Sequence, residues 1–401
     1  MAADCSAACL AGLRRAQLSR SPQVLIADVD WPSIVGVAAV GLAVVLIMAI
    51  MAWAHYGFWV RRLGVDLDYA ERHELRADDG VPFTLLRLPA RVSTRSEFSD
   101  PPILMVHGIA SNHRNIDAEE GRSLARYLRD LGRDVWLLTL RSGQPSLTIG
   151  QRARVDFASM VEHDLPRAIE FVRKQTDSPS IDYVGFSMGG ILLYAALGRT
   201  VEAQSLRRVA TIGSPARVSP PIRVLRALGF LPRFVFRVVW LRALARMSAF
   251  AIEGVHTPLH RQIYNPLNVD RGATSRALVN LIEDVPAPLS ADFAKWALGD
   301  GIVRVAGEDV LARLSEVHVP AIFFAGAADK VAHPEAVRAA YDAWGADTDE
   351  VEKRFVVLGV DNGCEQDYGH GDLAIGERLT AELFVPLAEF LNAERSPAYP
   401  S

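Results

Sequence analysis

Cysteine is nearly missing from this chain of 401 residues, which has three: Cys5, Cys9 and Cys364. Two lie in the N-terminal tail and the third is far away, so no disulfide framework can staple the folded part. The Cys5 and Cys9 pair has no clustered histidines beside it, which argues against a zinc site, and no metal or other cofactor is expected. An excess of positive charge is also missing. Lys and Arg number 43 against 47 Asp and Glu, a net charge of -4, and this balance argues against a nucleic-acid binder. Half of the residues are hydrophobic and 22% are charged, which allows a sizeable core and excludes wholesale disorder. The chain shows no internal repeat.

Two local absences say more. Between Trp31 and Val60 there is no Asp, Glu, Lys or Arg. The densest part, Ile34 to Ala54, is long enough as a helix to span the ~30 Å hydrocarbon layer of a bilayer. Trp31, Trp53, Tyr56 and Trp59 sit where interfacial aromatics would anchor it. A core helix without a polar face is unusual outside a membrane. A cleaved signal peptide is the other alternative, because Ala52-Trp53-Ala54 mimics a cleavage site. The length of the run and the acids Asp28 and Asp30 ahead of it speak against that. The expectation is a poorly ordered tail over 1–32, then a single-pass transmembrane anchor over 33–60. The nearest charges, acids before and Arg61 and Arg62 after, lean towards a cytoplasmic catalytic part.

The second absence is of acids between Ala203 and Ile252, a stretch that holds nine arginines. Arg223, Arg226, Arg233, Arg237, Arg242 and Arg246 stand among Leu225, Phe230, Phe234, Phe236, Trp240 and Leu244. Arg233 and Arg237 share a helical face opposite Arg242 and Arg246, which suits two short helices better than one. Such a stretch either lies on an anionic membrane surface or packs on the core with snorkelling arginines.

What is present elsewhere is a strand–helix alternation. Glu74 to Leu88 reads as two strands around a tight turn at Asp78-Asp79-Gly80. Ile103 to Val106 is a short apolar run, as in a strand buried on both faces of a parallel sheet. A helix over 119–131, a strand over 135–140, a helix over 156–174, a strand over 181–186, a helix over 188–197 and a strand over 208–212 follow. The rhythm breaks from Val218 to Val317 and resumes with strands over 321–325 and 354–358 and helices over 334–344 and 372–392. This predicts an α/β fold, a mostly parallel sheet with helices on both faces. Its core spans 61–217 and 318–401, and a helical cap over 218–317 is inserted before the penultimate strand.

The chemistry centres on Gly185-Phe186-Ser187-Met188-Gly189, between a strand and a helix. This is the pattern of a nucleophile elbow, a strained turn that lifts one serine hydroxyl clear of the sheet. Gly185 and Gly189 leave room for the crowded backbone. Ligands of open α/β sheets bind beyond the carboxyl ends of the strands, and three residues fall there in the order Ser187, Asp329, His370. That order is the one seen in the α/β-hydrolase triad. Ser187 is the expected nucleophile, His370 its base and Asp329 the acid that orients the histidine. The backbone N–H groups of Ile109 and Met188 are the expected oxyanion donors. Asp361, Asp367 and Asp372 are rival acids, and His107 and His113 rival bases. His256, His260 and His318 read as surface or packing residues, Cys364 as a bystander and Arg141 as structural.

These residues resemble the α/β-hydrolase superfamily, and within it the branch of acid lipases and polyhydroxyalkanoate synthases. The likeness spans about 101–392. It is carried by His107-Gly108, Asp134-Val135-Trp136-Leu137, His163 to Ile169, Tyr183 to Gly190 and Gly369-His370-Gly371-Asp372. The resemblance implies the same three catalytic residues. Two departures matter: the polyhydroxyalkanoate synthases use a cysteine where this chain has Ser187, and secreted acid lipases carry a signal peptide rather than an anchor. The expected activity is that of a membrane-anchored, lipase-like serine carboxylic-ester hydrolase acting on a hydrophobic ester through an acyl-serine intermediate. Its membrane contacts are the N-terminal helix and the basic cap. The alternatives are an acyltransferase or thioesterase with the same triad, or a non-catalytic binding protein of this fold.

Overall fold

The alternating apolar runs of residues 71–358 become the strands of one eight-stranded sheet. The computed structural model describes residues 31–91, 100–219, 241–252, 260–348 and 351–393. The chain divides into two units, 1–57 and 58–401. The described residues of the first unit are most of a long helix, α1 (Trp31–Leu63). Its Val35–Leu63 portion is long and apolar enough to cross a membrane, with a mean hydropathy of 2.8 in its most apolar stretch and none of that stretch buried. A signal sequence near the N-terminus meets the same criteria. The tail that holds Cys5 and Cys9 lies outside the described residues.

In the second unit the strands are β1 (Glu71–Arg76), β2 (Pro82–Leu88), β3 (Ile103–Val106), β4 (Val135–Thr139), β5 (Ile181–Phe186), β6 (Leu206–Ile212), β7 (Ala321–Gly326) and β8 (Lys353–Leu358). Their order across the sheet is β1-β2-β4-β3-β5-β6-β7-β8. The pairs β1–β2 and β2–β4 are antiparallel and all others parallel. The central strands β3, β4 and β5 are buried along their whole length, which is why they are continuous apolar runs without alternation. One core cluster, with Trp136, Phe157, Tyr183, Tyr194 and Trp344, packs on one face of the sheet. A second, with Phe186, Phe324, Phe384 and Phe390, packs on the other.

The helices that follow these strands are α2 (Leu124–Asp130), α3 (Leu165–Thr176), α4 (Met188–Ala196), then α5 (Leu241–Ser248), α6 (Ala273–Asn280) and α7 (Ala287–Leu298) between β6 and β7, then α8 (Pro334–Ala343) and α9 (Val385–Asn392). Two expected helices differ from the pattern reading, for one reason. The helix expected over 156–174 holds a π turn at Met160–Asp164 ahead of Pro166, and the one expected over 372–392 holds another at Thr380–Phe384 ahead of Pro386. Proline has no N–H to continue the ladder, and the residue before it reaches back five places instead of four. Leu165 N–H accordingly bonds Met160 O, and Val385 N–H bonds Thr380 O. The last helix is also interrupted: its first turn, Asp372–Ile375, stops at Gly376. The helix expected from 119 starts at Leu124 instead, where Ser123 accepts the Arg126 N–H as N-cap.

Arg141, just past the end of β4, is fully buried between two carboxylates. Its Nε lies 2.8 Å from Asp164 Oδ1, and its terminal nitrogens lie 2.5 and 3.1 Å from the Asp79 oxygens. Burial pushes the Asp164 carboxyl above its ordinary value, against the opposing pull of Arg141. The network ties the β1–β2 turn to the helix entrance at 164. Arg141→Met strands the Asp164 charge in the core, and a stability loss of about 3–5 kcal/mol is expected. Urea unfolding measures it, and a loss no larger than that of an exposed arginine would show the network to be idle.

The arginines of the acid-free stretch that lie among the described residues are all engaged. Arg207 pairs with Asp182, Arg208 with Glu352, Arg217 with Asp309 and Arg242 with Glu283. Arg246 Nε donates to Val279 O. These contacts agree with packing of the described part. Arg223, Arg226, Arg233 and Arg237 lie outside the described residues.

Candidate active site

β5 ends at Phe186 and α4 begins at Met188, so Ser187 is the single residue of the turn. Its backbone is at φ 51° and ψ -116°, a region that costs a non-glycine residue free energy. The turn is this tight because its glycines have no side chain. A Cβ on Gly185 would come within 2.6 Å of Gly190 N, and one on Gly189 would overlap the Val106 carbonyl. The Tyr183 hydroxyl braces the elbow by donating to Gly189 O at 2.7 Å. Sequence reading missed that brace, because tyrosine in a buried strand reads as core.

Three residues that are far apart in the chain meet here. His370 Nε2 lies 3.0 Å from Ser187 Oγ, and His370 Nδ1 lies 2.7 Å from Asp329 Oδ2. Asp329 lies three residues past the end of β7 and is 1% exposed. Its Oδ1 accepts the N–H groups of Val331 and Ala332 at 2.8 and 2.7 Å, which leaves Oδ2 for the histidine. Burial alone would lower the His370 pKa, but the charge and hydrogen bond of Asp329, with the charge of Asp372, outweigh it and raise the pKa above 6.5. The arrangement suits a histidine whose Nδ1–H is held by a carboxylate while Nε2 faces a hydroxyl.

The turn after β3 lies against Ser187. A Cβ on Gly108 would meet Ser187 Cβ at 3.1 Å. The Gly108 N–H is taken by Asn115 Oδ1 at 3.1 Å, whereas neither Ile109 N–H nor Met188 N–H donates to an acceptor among the described residues. Met188 is the first residue of α4, where no intrahelical acceptor exists. Among the described residues these two N–H groups, one next to Ser187 in the chain and one next to Gly108, thus remain unpaired.

The rival residues are occupied elsewhere. His107 is buried, with Nδ1 2.7 Å from Gly108 O and Nε2 accepting the Leu140 N–H at 3.1 Å, and burial lowers its pKa to about 4. His113 sits on Thr139 Oγ1 at 2.7 Å, and burial lowers its pKa to about 3. Among the rival acids, Asp361 is exposed, Asp367 accepts the Val360 N–H, and Asp372 is buried one turn from His370 without touching its ring nitrogens. Cys364 is half-buried against the core cluster, with burial pushing its thiol pKa up. His318 is exposed.

Sequence reading also missed Glu283. It is buried and clasps the turn after β3: its N–H donates to Ala110 O at 2.9 Å, and its Oε1 accepts from Asn112 Nδ2 at 3.0 Å. Arg242 lies 3.4 Å from its Oε2. Nothing in the run around Glu283 marks it, since Ala110 and Asn112 of the turn it clasps are more than 150 residues away.

A mostly parallel sheet with a serine elbow, a histidine and an acid at its carboxyl edge defines a protein of hydrolase architecture. A model of the alpha/beta hydrolase fold matches residues 101–359, and the chain belongs to that family. It is 25% identical to gastric triacylglycerol lipase of Bos taurus over 181 residues, 43% of this chain and 46% of that one. It is 31% identical to a probable lipase of Schizosaccharomyces pombe over 166 residues, 38% of this chain and 35% of that one. The matched region thus spans less than half the length of these curated relatives. Among solved structures, an enol-lactonase from Burkholderia xenovorans superposes with a TM-score of 0.53 at 16% identity, over 80% of this chain and 100% of that one. A bacterial membrane phospholipase A gives 0.50 at 16% identity over 90% and 98%. At such identity these likenesses establish the fold alone.

Proposed function

We propose that this protein is a lipase-like serine carboxylic-ester hydrolase held to a membrane by α1. The observation that carries the reading is the line from Ser187 Oγ through His370 to Asp329, with contacts of 3.0 and 2.7 Å. Lipases among the relatives agree with it. In this reading Ser187 Oγ attacks the ester carbonyl carbon while His370 Nε2 takes the hydroxyl proton. The negative charge that develops on the carbonyl oxygen faces the N–H groups of Ile109 and Met188, each worth roughly 3–4 kcal/mol to the transition state. The C–O bond breaks, and the departing alcohol receives the proton from His370. Water, deprotonated by the same nitrogen, then releases the acid and restores Ser187. Asp329 keeps the Nδ1–H tautomer and stabilises the imidazolium. The apolar stretch within Val35–Leu63 supports membrane attachment, and a hydrophobic acyl or alcohol group in the substrate follows from that setting.

A fluorophosphonate probe with mapping of the adduct tests the chemistry, and a panel of short, medium and long acyl esters tests the substrate class. Labelling at Ser187 is expected, and no labelling of folded protein would favour a binding protein instead. The pH dependence carries a definite sign. Turnover needs neutral His370, so it falls as pH drops through the raised pKa of this group, above 6.5. Stability linked to His370 runs the other way. A raised folded-state pKa contributes stability that is present below the unfolded value and lost as pH rises through the folded one. An acid limb of kcat/KM centred well below 6.5 would contradict the pairing of His370 with Asp329.

A further inference from the structure

The residue of the Gly369-His370-Gly371-Asp372 motif still without a task is Asp372. It is fully buried, and an ionised carboxylate there is an acceptor only. Three donors converge on it. Gly369 N–H reaches both oxygens at 3.0 Å, Asn265 N–H reaches Oδ1 at 3.0 Å, and Asn268 Nδ2 reaches Oδ2 at 2.6 Å. The asparagines come from the stretch between β6 and β7, more than 100 residues earlier in the chain. They hold the same loop a second time: Asn265 Nδ2 and Asn268 Nδ2 donate to Asp367 O at 2.8 and 2.9 Å, while Gly371 N–H donates to Ile263 O at 2.7 Å. His370 therefore stands in a loop clamped on both flanks by residues 263–268 and by Asp372. Backbone bonds alone could pin such a loop, whereas a buried carboxylate is costly even when its lone pairs are met. The Asp372 charge, two residues from His370 in the chain, also favours the protonated imidazole.

We propose that Asp372 is a positioning residue for His370: its buried carboxylate fixes the histidine loop through the Gly369 amide and adds negative charge beside the imidazolium, and Asn265 and Asn268 complete it from the insert. The proposal rests on the reading of His370 as the base. The ionisable groups that act on His370 are Asp329 and Asp372, both of which favour its protonated form. The Tyr368 phenol also feels the Asp372 charge, and its hydroxyl donates to Glu382 at 2.5 Å, while Tyr264 packs against Gly371 of the same loop. Burial raises the Asp372 carboxyl to about 6 against the donors of Asn268, Asn265 and Gly369. Removing one donor pushes it further up and neutralises it nearer to neutral pH. Asn268→Ala is thus a graded form of Asp372→Asn.

The test measures inactivation of the full-length protein by a fluorophosphonate as a function of pH, for wild type, Asp372→Asn and Asn268→Ala. With Asp372→Asn the plateau rate is expected to fall about 10–100-fold, as for a misplaced catalytic group. The midpoint of its acid limb is expected to move down by roughly half a unit or more, because the imidazolium loses a negative neighbour. Asn268→Ala moves both quantities in the same direction by less, and decides the matter if Asp372→Asn does not fold. A folded variant with lower thermal stability but the wild-type plateau and acid limb assigns Asp372 a structural role only and overturns the proposal. Wild-type protein that does not label overturns the functional reading and this inference together. Wild type that labels, with both variants unchanged, overturns this inference alone.

Discussion

Ser187→Ala is expected to lower ester turnover by about 10⁵–10⁶-fold, the scale set when a nucleophile that works as a unit with its base is removed. Ser187 Oγ is the group that His370 Nε2 faces at 3.0 Å, and no other hydroxyl bonds that nitrogen among the described residues. Alanine keeps the Cβ and the strained φ of 51°, and loses one bond to a histidine that stays held by Asp329. The melting temperature therefore moves little, and the loss is one of chemistry. In the proposed mechanism, what remains comes from substrate binding and from the N–H groups of Ile109 and Met188. Residual kcat/KM within tenfold of wild type, on any ester the protein turns over, would sink the acyl-serine mechanism; circular dichroism of the same sample checks the fold.

Asp329→Asn is the second large effect, about 10⁴-fold in kcat with KM nearly unchanged. The geometry dictates why. Asp329 Oδ1 is committed to the N–H groups of Val331 and Ala332. In the asparagine variant the one remaining oxygen must take those donors, so the NH₂ group turns towards His370 Nδ1. That nitrogen then has to accept, which moves the ring proton to Nε2 and aims it at Ser187 Oγ. A base that already carries a proton cannot take another at no cost. The variant keeps its shape and loses the tautomer. A kcat within a few-fold of wild type would mean that Asp329 does not orient the base, and its measurement needs only steady-state kinetics on a soluble ester. The backbone grip at Oδ1 also distinguishes Asp329 from Asp372. Both are buried acids near His370, but only Asp329 presents a free oxygen to the ring.

The parts of this protein legible in the sequence are those with a local cause. Ile103–Val106, Val135–Thr139 and Ile181–Phe186 are strands buried on both faces, and burial writes itself as an unbroken apolar run. The elbow at Ser187 is legible because the steric demand falls on glycines two residues to either side. Ser187, Asp329 and His370 each lie in the segment that follows a strand, on the one edge where loops of a parallel sheet gather. Most of α1 likewise coincides with the uncharged run from Trp31 to Val60.

Where the reading fell short, the cause was contact between distant residues or a local detail without a pattern signature. The π turns before Pro166 and Pro386 are readable in principle, from a proline well inside a helical stretch, yet a periodicity reading passes over them. The choice of Asp329 over Asp361, Asp367 and Asp372 rested on position, and the distances decide which acid touches the ring. The clasp of Glu283 on the turn after β3, and of Asn265 and Asn268 on the histidine loop, left no trace in the sequence. A hydrogen bond across 100 to 170 residues imposes no spacing on either partner, because the intervening chain can take any path that closes the loop. Composition and periodicity determined the strands, the elbow and the apolar helix, since each is a response to neighbours within one turn or one strand. Only the tertiary structure decided which acid meets His370 and what holds the loops beside Ser187, since those depend on where separate pieces of chain come to rest.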